Sequence, residues 1–282
     1  MEGIMSHLRQ VQRIILVSAT NSIDIPDYIP FDNAKVIEST EKVESRLTLK
    51  KHVVKKDEKL EGLRNLINQL GTDQNAIAFV NHRETCERIA DHLDDFGITY
   101  SVFHGGMEQV HRELALTKFR NGSSQVLLAT DIAARGIDVP ELNMVIHYQL
   151  PPQESTFIHR NGRTARVEET GTSVLLLTQE DYLPDYIEEK PEQIRLRYDV
   201  EIMPPTFDTL YIGKGKKDKI NKMDIVGFCY SFDFMDKGDV GMIEVKDFCA
   251  YVAIKRTKMD KLIKSARKKK IKNKTAKIQL AR

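Results

Sequence analysis

The sequence predicts an α/β chain in which a parallel-sheet domain is followed by a small α+β domain. Three observations predict it. Short apolar runs alternate with helical patterns between residues 76 and 177, joined by short glycine-containing connections, as right-handed βαβ crossovers require. A break marked by Pro191, Pro204 and Pro205 is followed by a different order of elements. Charge changes sign across the same break: residues 206–282 hold 20 basic and 9 acidic side chains, whereas the preceding 205 residues hold 23 and 32.

The elements follow in order. Residues 13–19 are a short apolar run read as a buried strand, and Pro26 and Pro30 break regular structure over 21–43. Leu47, Leu49 and Val53 alternate with polar neighbours, which predicts a half-buried strand over 46–54. Leu60, Leu63, Ile67 and Leu70 recur at helical spacing, with Gly71 as the stop. A strand at 76–80, a helix at 84–96 ended by Gly97, a strand at 99–103 and a helix at 108–119 ended by Asn121-Gly122 come next. Strands at 125–129 and 143–147, a helix opening near Ser155 and a strand at 173–177 complete the series. Residues 178–205 read as a helix followed by a linker. Beyond it, strands at 209–212, 240–245, 248–254 and 276–280, with helices at 220–230 and 259–269, give the order βαββαβ, the split βαβ plan. The chain accordingly divides into residues 1–32, 33–200 and 206–282.

Composition narrows the function classes. With 282 residues, 41% hydrophobic and 30% charged, the chain is neither disordered nor fibrous. No apolar run approaches the ~18 residues that a membrane span needs, and the N-terminus lacks the layout of a signal peptide. Cys86, Cys229 and Cys249 show neither metal spacing nor a disulfide framework, which fits a reducing, cytoplasmic setting. Residues 255–282 hold 13 basic side chains and one acid, Asp260, which points to a polyanionic partner.

Ligands of parallel sheets sit at the carboxyl ends of strands. There the sequence places Thr130-Asp131-Ile132-Ala133-Ala134-Arg135-Gly136-Ile137-Asp138 and, after the next strand, His159-Arg160-Asn161-Gly162-Arg163-Thr164-Ala165-Arg166. The second run reads as opening a helix with Arg163 and Arg166 on one face, two planar donor forks suited to phosphate.

Together with Ser18-Ala19-Thr20, residues 77–83 and Gln109-Val110-His111-Arg112, these runs resemble, in order and spacing, motifs of the DEAD-box RNA helicases. The resemblance implies a RecA-like helicase C-terminal domain and ATP with Mg2+ as cofactor. It casts Arg163 and Arg166 as arginine fingers on the γ-phosphate, a role typically worth 10³–10⁵ in rate. Asp138 matches the contact to the ATP ribose, and Gly136 shapes its loop. His159 matches the bridge to the attacking water, and Ser18 and Thr20 match the hydroxyls that link hydrolysis to domain closure. Gly105, Gly106 and Thr130 match positions that hold RNA phosphates, with Arg83 as a further RNA contact and Arg112 matching an RNA-contacting or interdomain arginine.

Residues 206–282 read as RRM-like, yet Cys249 and Ile254 stand where base-stacking aromatics are expected, leaving Tyr251 and Tyr211. The runs 210–219, 224–227 and 240–245 instead resemble the DbpA-type RNA-binding domain. That resemblance implies structured RNA, often ribosomal, as the partner. Its phosphate contacts are expected at Lys214, Lys216, Lys217 and Lys219, and at Arg267, Lys268, Lys269, Lys270, Lys272 and Lys274.

The family's phosphate-cradling Gly-Lys-Thr loop, its Gln motif and its Asp-Glu-Ala-Asp segment do not occur in the sequence. Residues 1–32 are therefore expected to be a remnant of a first RecA-like domain that would carry the magnesium ligands, and the chain alone is expected to be inactive. The competing reading is a non-enzymatic RNA-binding protein derived from a helicase C-terminal half.

Overall fold

The computed structural model describes residues 14–15, 35, 47–131, 139–140, 142–164, 171–197, 203–267 and 269–281. The strand expected over 13–19 and the remnant over 1–32 thus lie outside the described residues, apart from Ile14 and Ile15. Residues 45–282 form one compact unit, and it carries two sheets.

The first sheet has seven strands: β1 (Leu47–Val54), β2 (Ala76–Val80), β3 (Tyr100–Phe103), β4 (Val126–Thr130), β5 (Met144–His147), β6 (Gly171–Thr178) and the two-residue β7 (Glu192–Gln193). They run parallel in the order β3-β4-β2-β5-β6-β1-β7. Helices α1 (Lys59–Ile67), α2 (Arg83–Asp95), α3 (Gln109–Arg120) and α4 (Glu154–Asn161) make the crossovers. Burial on both faces explains the unbroken apolar runs. Ala76, Ala78 and Val80 of β2 and Val126 and Leu128 of β4 share a core with Leu63, Leu66, Ile89 and Leu93. Ile77, Phe79, Leu127 and Ala129 turn the opposite way, onto Phe103, Ala115 and Phe119. Each fully buried Leu or Ile contributes about 1.5–3 kcal/mol. Gly97 and Gly122 end α2 and α3 at φ +66° and +75°, the left-handed conformation that glycine adopts without steric cost.

Two expectations fail here. Among the described residues of 178–205 there is no helix; Tyr182-Leu183-Pro184 is irregular, and β7 adds an edge strand beside Lys50 and Lys51. Pro184 and Pro191 cannot donate to a helix ladder, and each disfavours helical backbone in the residue before it. Arg163 also does not open a helix: α4 ends at Asn161 with Gly162 as its cap, and Arg163 follows in a turn.

The second sheet is antiparallel, in the order β11-β8-β10-β9, from β8 (Phe207–Ile212), β9 (Val240–Val245), β10 (Ala250–Lys255) and β11 (Ile278–Leu280). Helices α5 (Lys222–Tyr230) and α6 (Arg256–Ala266) complete the βαββαβ order. An Asn221–Asp224 capping box starts α5. Leu210, Ile212, Val252 and Ile254 face these helices and bury Ile225, Phe228, Met259 and Leu262.

Candidate functional site

The carboxyl ends of β2, β3 and β4, three neighbouring strands, form one rim. Arg83 follows β2, Gly105 and Gly106 follow β3, and Thr130 ends β4. The Gly106 N–H donates to Nδ1 of His104 at 3.2 Å. A Cβ at Gly106 would lie 3.5 Å from Cδ of Arg83, so these positions adjoin. Gly105 and Gly106 are exposed, as a backbone that receives a phosphate must be. Arg112 sits in the first turns of α3, donating to Oε1 of Gln109 at 2.6 Å, while its own Nε is buried without a partner.

Behind this rim lies a network that sequence reasoning missed. Arg160, 2% exposed, donates Nε and Nη2 to the two oxygens of Asp131 at 2.6 and 2.7 Å. Its remaining donors reach the Gln149 carbonyl at 2.6 Å and Oδ1 of Asn81 at 2.9 Å. One guanidinium thereby ties together the chain after β2, β4 and β5. Beside it, Asn161 Oδ1 accepts from Ser173 at 2.8 Å and lies 3.0 Å from Nε2 of His147. Burial, then the nearby Arg160 charge, push the His147 pKa down to about 3, against the opposing pull of the Asn161 hydrogen bond. His147 is therefore neutral at physiological pH. Arg160 stood in plain view between His159 and Arg163, but the three-residue arginine spacing drew attention to Arg163 and Arg166 instead.

The nucleotide-facing residues are only partly within view. His159 is exposed on α4. The carbonyl of Arg163 accepts from Leu142 N–H at 3.3 Å, which ties its backbone to the chain entering β5. Ser18, Thr20, Gly136, Asp138 and Arg166 lie outside the described residues. Among the described residues no three Asp, Glu, His or Cys side chains converge as metal ligands.

In the second sheet the basic side chains separate into two groups. Lys214 pairs with Asp218 at 3.0 Å. Lys269 donates to the Ser231 carbonyl at 2.7 Å and lies over the Phe232 ring. Lys272 donates to the Lys219 carbonyl at 3.0 Å, and Lys274 to that of Asp218. These four brace the module. Lys216, Lys217, Lys219, Arg267 and Lys270 have no ion-pair partner among the described residues. Lys268 lies outside them.

The module's open sheet face is covered rather than free. Thr209, Tyr251 and Ala253 point away from the helices yet are 2%, 7% and 0% exposed. The Asn121 side-chain amide donates to Thr209 at 2.9 Å, and Ser123 Oγ lies 2.7 Å from the same hydroxyl. Glu244, opposite Tyr251 in the ladder, accepts from Thr117 at 2.9 Å and from Arg120 at 3.0 and 3.2 Å. Burial alone would raise the Glu244 pKa. Hydrogen bonds from Lys246 and Thr117, with the Arg120 and Lys246 charges, outweigh it and hold the carboxyl below its usual range. Helix α3 thus seats the module on the parallel-sheet domain.

Comparison with known proteins agrees with this architecture. Residues 58–168 match the helicase conserved C-terminal domain, and residues 209–280 match the DbpA RNA binding domain. The chain is 32% identical to ATP-dependent RNA helicase DbpA of Escherichia coli over 72% of its own length and 46% of the relative's. It is 28% identical to ATP-dependent RNA helicase DbpA of Bacillus subtilis over 99% of its own length and 65% of the relative's. It is 38% identical to eukaryotic initiation factor 4A of Caenorhabditis elegans over 50% of its own length and 37% of the relative's. The two domains and their order define a helicase C-terminal domain joined to an RNA-binding module. This chain belongs to the DEAD-box RNA helicase family, in its DbpA-type subgroup. It spans about half to two thirds of the length of the DbpA relatives. No described helix is long and apolar enough to cross a membrane.

Proposed function

We propose that the chain acts as the C-terminal part of an ATP-dependent RNA helicase that locally opens structured RNA, with ribosomal RNA as the substrate class carried from its subgroup. The observation that carries this reading is the shared rim of Arg83, Gly105, Gly106 and Thr130 at adjacent strand ends, with Arg112 as a further cation on α3. Such a rim holds a nucleic-acid backbone through exposed N–H groups and guanidinium forks. In this reading a first RecA-like domain would bind ATP and Mg2+ and supply the phosphate chemistry. Arg163 and Arg166 would stabilise the charge that develops on the transferring phosphoryl group. His159, Ser18 and Thr20 would relay hydrolysis to closure, and Gly136 and Asp138 would hold the ribose. The five unpaired cations Lys216, Lys217, Lys219, Arg267 and Lys270 anchor the module to RNA phosphates.

The test has two arms. The chain alone should show no RNA-stimulated ATP hydrolysis, and adding a separate first RecA-like domain of this family should restore it. Absence of restoration favours the non-enzymatic RNA-binding reading. Replacing Lys216, Lys217 and Lys219 together by Ala should weaken RNA binding and lower the salt slope by about 2, at roughly 0.7 per lost contact to a single strand. An unchanged slope would show that RNA is held elsewhere.

A further inference from the structure

A groove of about 350 Å3 opens where α3 meets the β9–β10 hairpin, lined by Val110 and Glu113 on one side and by Lys216, Lys246, Asp247, Phe248, Cys249 and Tyr251 on the other. Two large apolar side chains stand open to water at its edge, Phe248 at 72% and Val110 at 57% exposure. They come from different domains of the molecule, Val110 from α3 and Phe248 from the β9–β10 turn, so neither is a leftover of one domain's core. The groove is built rather than accidental. Val110, Glu113, Thr117 and Arg120 recur at helical spacing along one stripe of α3. Thr117 and Arg120 hold Glu244, and Lys246 bridges Glu244 at 2.5 Å and Glu113 at 3.7 Å. The basic turn is locked to the same hairpin: Lys216 N–H donates to the Lys246 carbonyl at 2.8 Å, and Lys217 N–H to that of Asp247 at 2.9 Å. Only glycine fits before that turn, since a Cβ at Gly215 would lie 2.3 Å from the Lys246 oxygen.

We propose that this groove is a subsite for one unpaired RNA base carrying an exocyclic amine, stacked on Phe248 with its phosphate held by Lys216. The proposal rests on the RNA-binding reading above and adds a site to it. Charge favours a polyanion: Lys216 lies in the groove without an ion-pair partner, and Lys217 and Lys219 continue the same turn. An aromatic face open to solvent beside such cations is how proteins hold single strands. Position favours continuity with the rim, because Gln109 and Arg112 occupy the same first turns of α3 as Val110 and Glu113. Arg112 donates to Gln109 at 2.6 Å and Gln109 to Glu113 at 3.1 Å, so a run of side-chain contacts leads from the rim cation to the groove wall. Chemistry favours an amine-bearing base. The Asp247 carboxylate has no hydrogen-bond partner among the described residues, and a carboxylate accepts from the amino group of cytosine, adenine or guanine, whereas uracil offers it only the ring N3–H. The module's own face, with Tyr211 and Tyr251 at 5.8 Å, is closed by the docking of α3, and of the two aromatics that line the groove Phe248 is the exposed one.

The test measures binding of the full chain to fluorescent oligocytidine, oligoadenosine and oligouridine, and to a blunt RNA duplex of equal length. Phe248→Ala should weaken binding to the cytidine and adenosine strands five-fold or more, leave the duplex unchanged, and be rescued by Phe248→Trp. Asp247→Asn should narrow the preference over oligouridine. Because Phe248 is mostly exposed, its loss does not threaten the fold. If Phe248→Ala binds all strands as tightly as the parent while binding stays salt-dependent, the groove proposal falls and the RNA-binding reading stands. If the parent chain binds none of these RNAs, both fall.

Discussion

The two sheets put similar residues to opposite uses. In the parallel sheet both faces are buried under helices, so polar side chains collect at the strand ends, where Arg83, Gly106 and Thr130 form the rim. In the antiparallel sheet one face carries the helices and the other is pressed against α3, so its face is also lost to ligands. The unpaired cations Lys216, Lys217 and Lys219 sit in the turn after β8, outside either sheet face. Two polar networks mark the same contrast. In the one around Arg160, inside a single domain, the arginine side chain is 1% exposed, whereas in the one around Glu244, which joins two folds, the arginine side chain is 24% exposed. A buried network fixes the site's geometry, and a half-exposed one fixes only where the module sits.

Three experiments would break or sharpen that contrast. The largest effect should come from Arg160→Met, which strands Asp131 in a largely buried position and removes the tie between three strand ends. Stability in urea should fall by about 3–5 kcal/mol. A loss below about 1 kcal/mol would mean that the network does not hold the rim. Next in size is a pH effect. His147 is neutral when folded, with a pKa near 3, and titrates near 6.5 when unfolded. Its contribution is complete above pH 6.5 and is lost as pH falls towards 3. Between pH 7 and pH 5 unfolding free energy should drop by about 2 kcal/mol, and His147→Gln should flatten that dependence; a parallel pH curve for the variant would refute the assignment. The smallest effect is expected from Glu244→Gln, which keeps shape but removes the charge at the junction. It should cost about 1–2 kcal/mol and separate the unfolding of the two sheets in calorimetry. Since the Glu244 pKa is lowered, its contribution is present above about pH 4.5 and fades below it. A single transition of unchanged midpoint would show that the module is held by other contacts.

Much of this was legible in the sequence because it depends on local pattern. Strand 76–80 was placed to the residue, since a five-residue apolar run between turn residues has one natural reading, and the βαββαβ order of the module followed from spacing alone. The failures share a cause. Residues 178–205 carry apolar residues at near-helical intervals, but Pro184 and the edge of β1 decided their backbone. Arg160 resembles its exposed neighbours in every local respect, and only folding reveals that it points inward to Asp131. Lysines 214, 269, 272 and 274 carry the same charge as Lys216, Lys217 and Lys219, yet the nearby Asp218 carboxylate claims the first and carbonyls distant in sequence claim the other three.

By itself the sequence determined the order of elements outside residues 178–205 and the family. Each of these follows from side-chain type and short-range spacing. The tertiary structure alone decided which cations stay free, that α3 covers the module's sheet, and that Phe248 and Val110 face a shared groove. Those outcomes depend on segments from tens to more than a hundred residues apart in the chain meeting in space, and no local pattern encodes which surfaces meet.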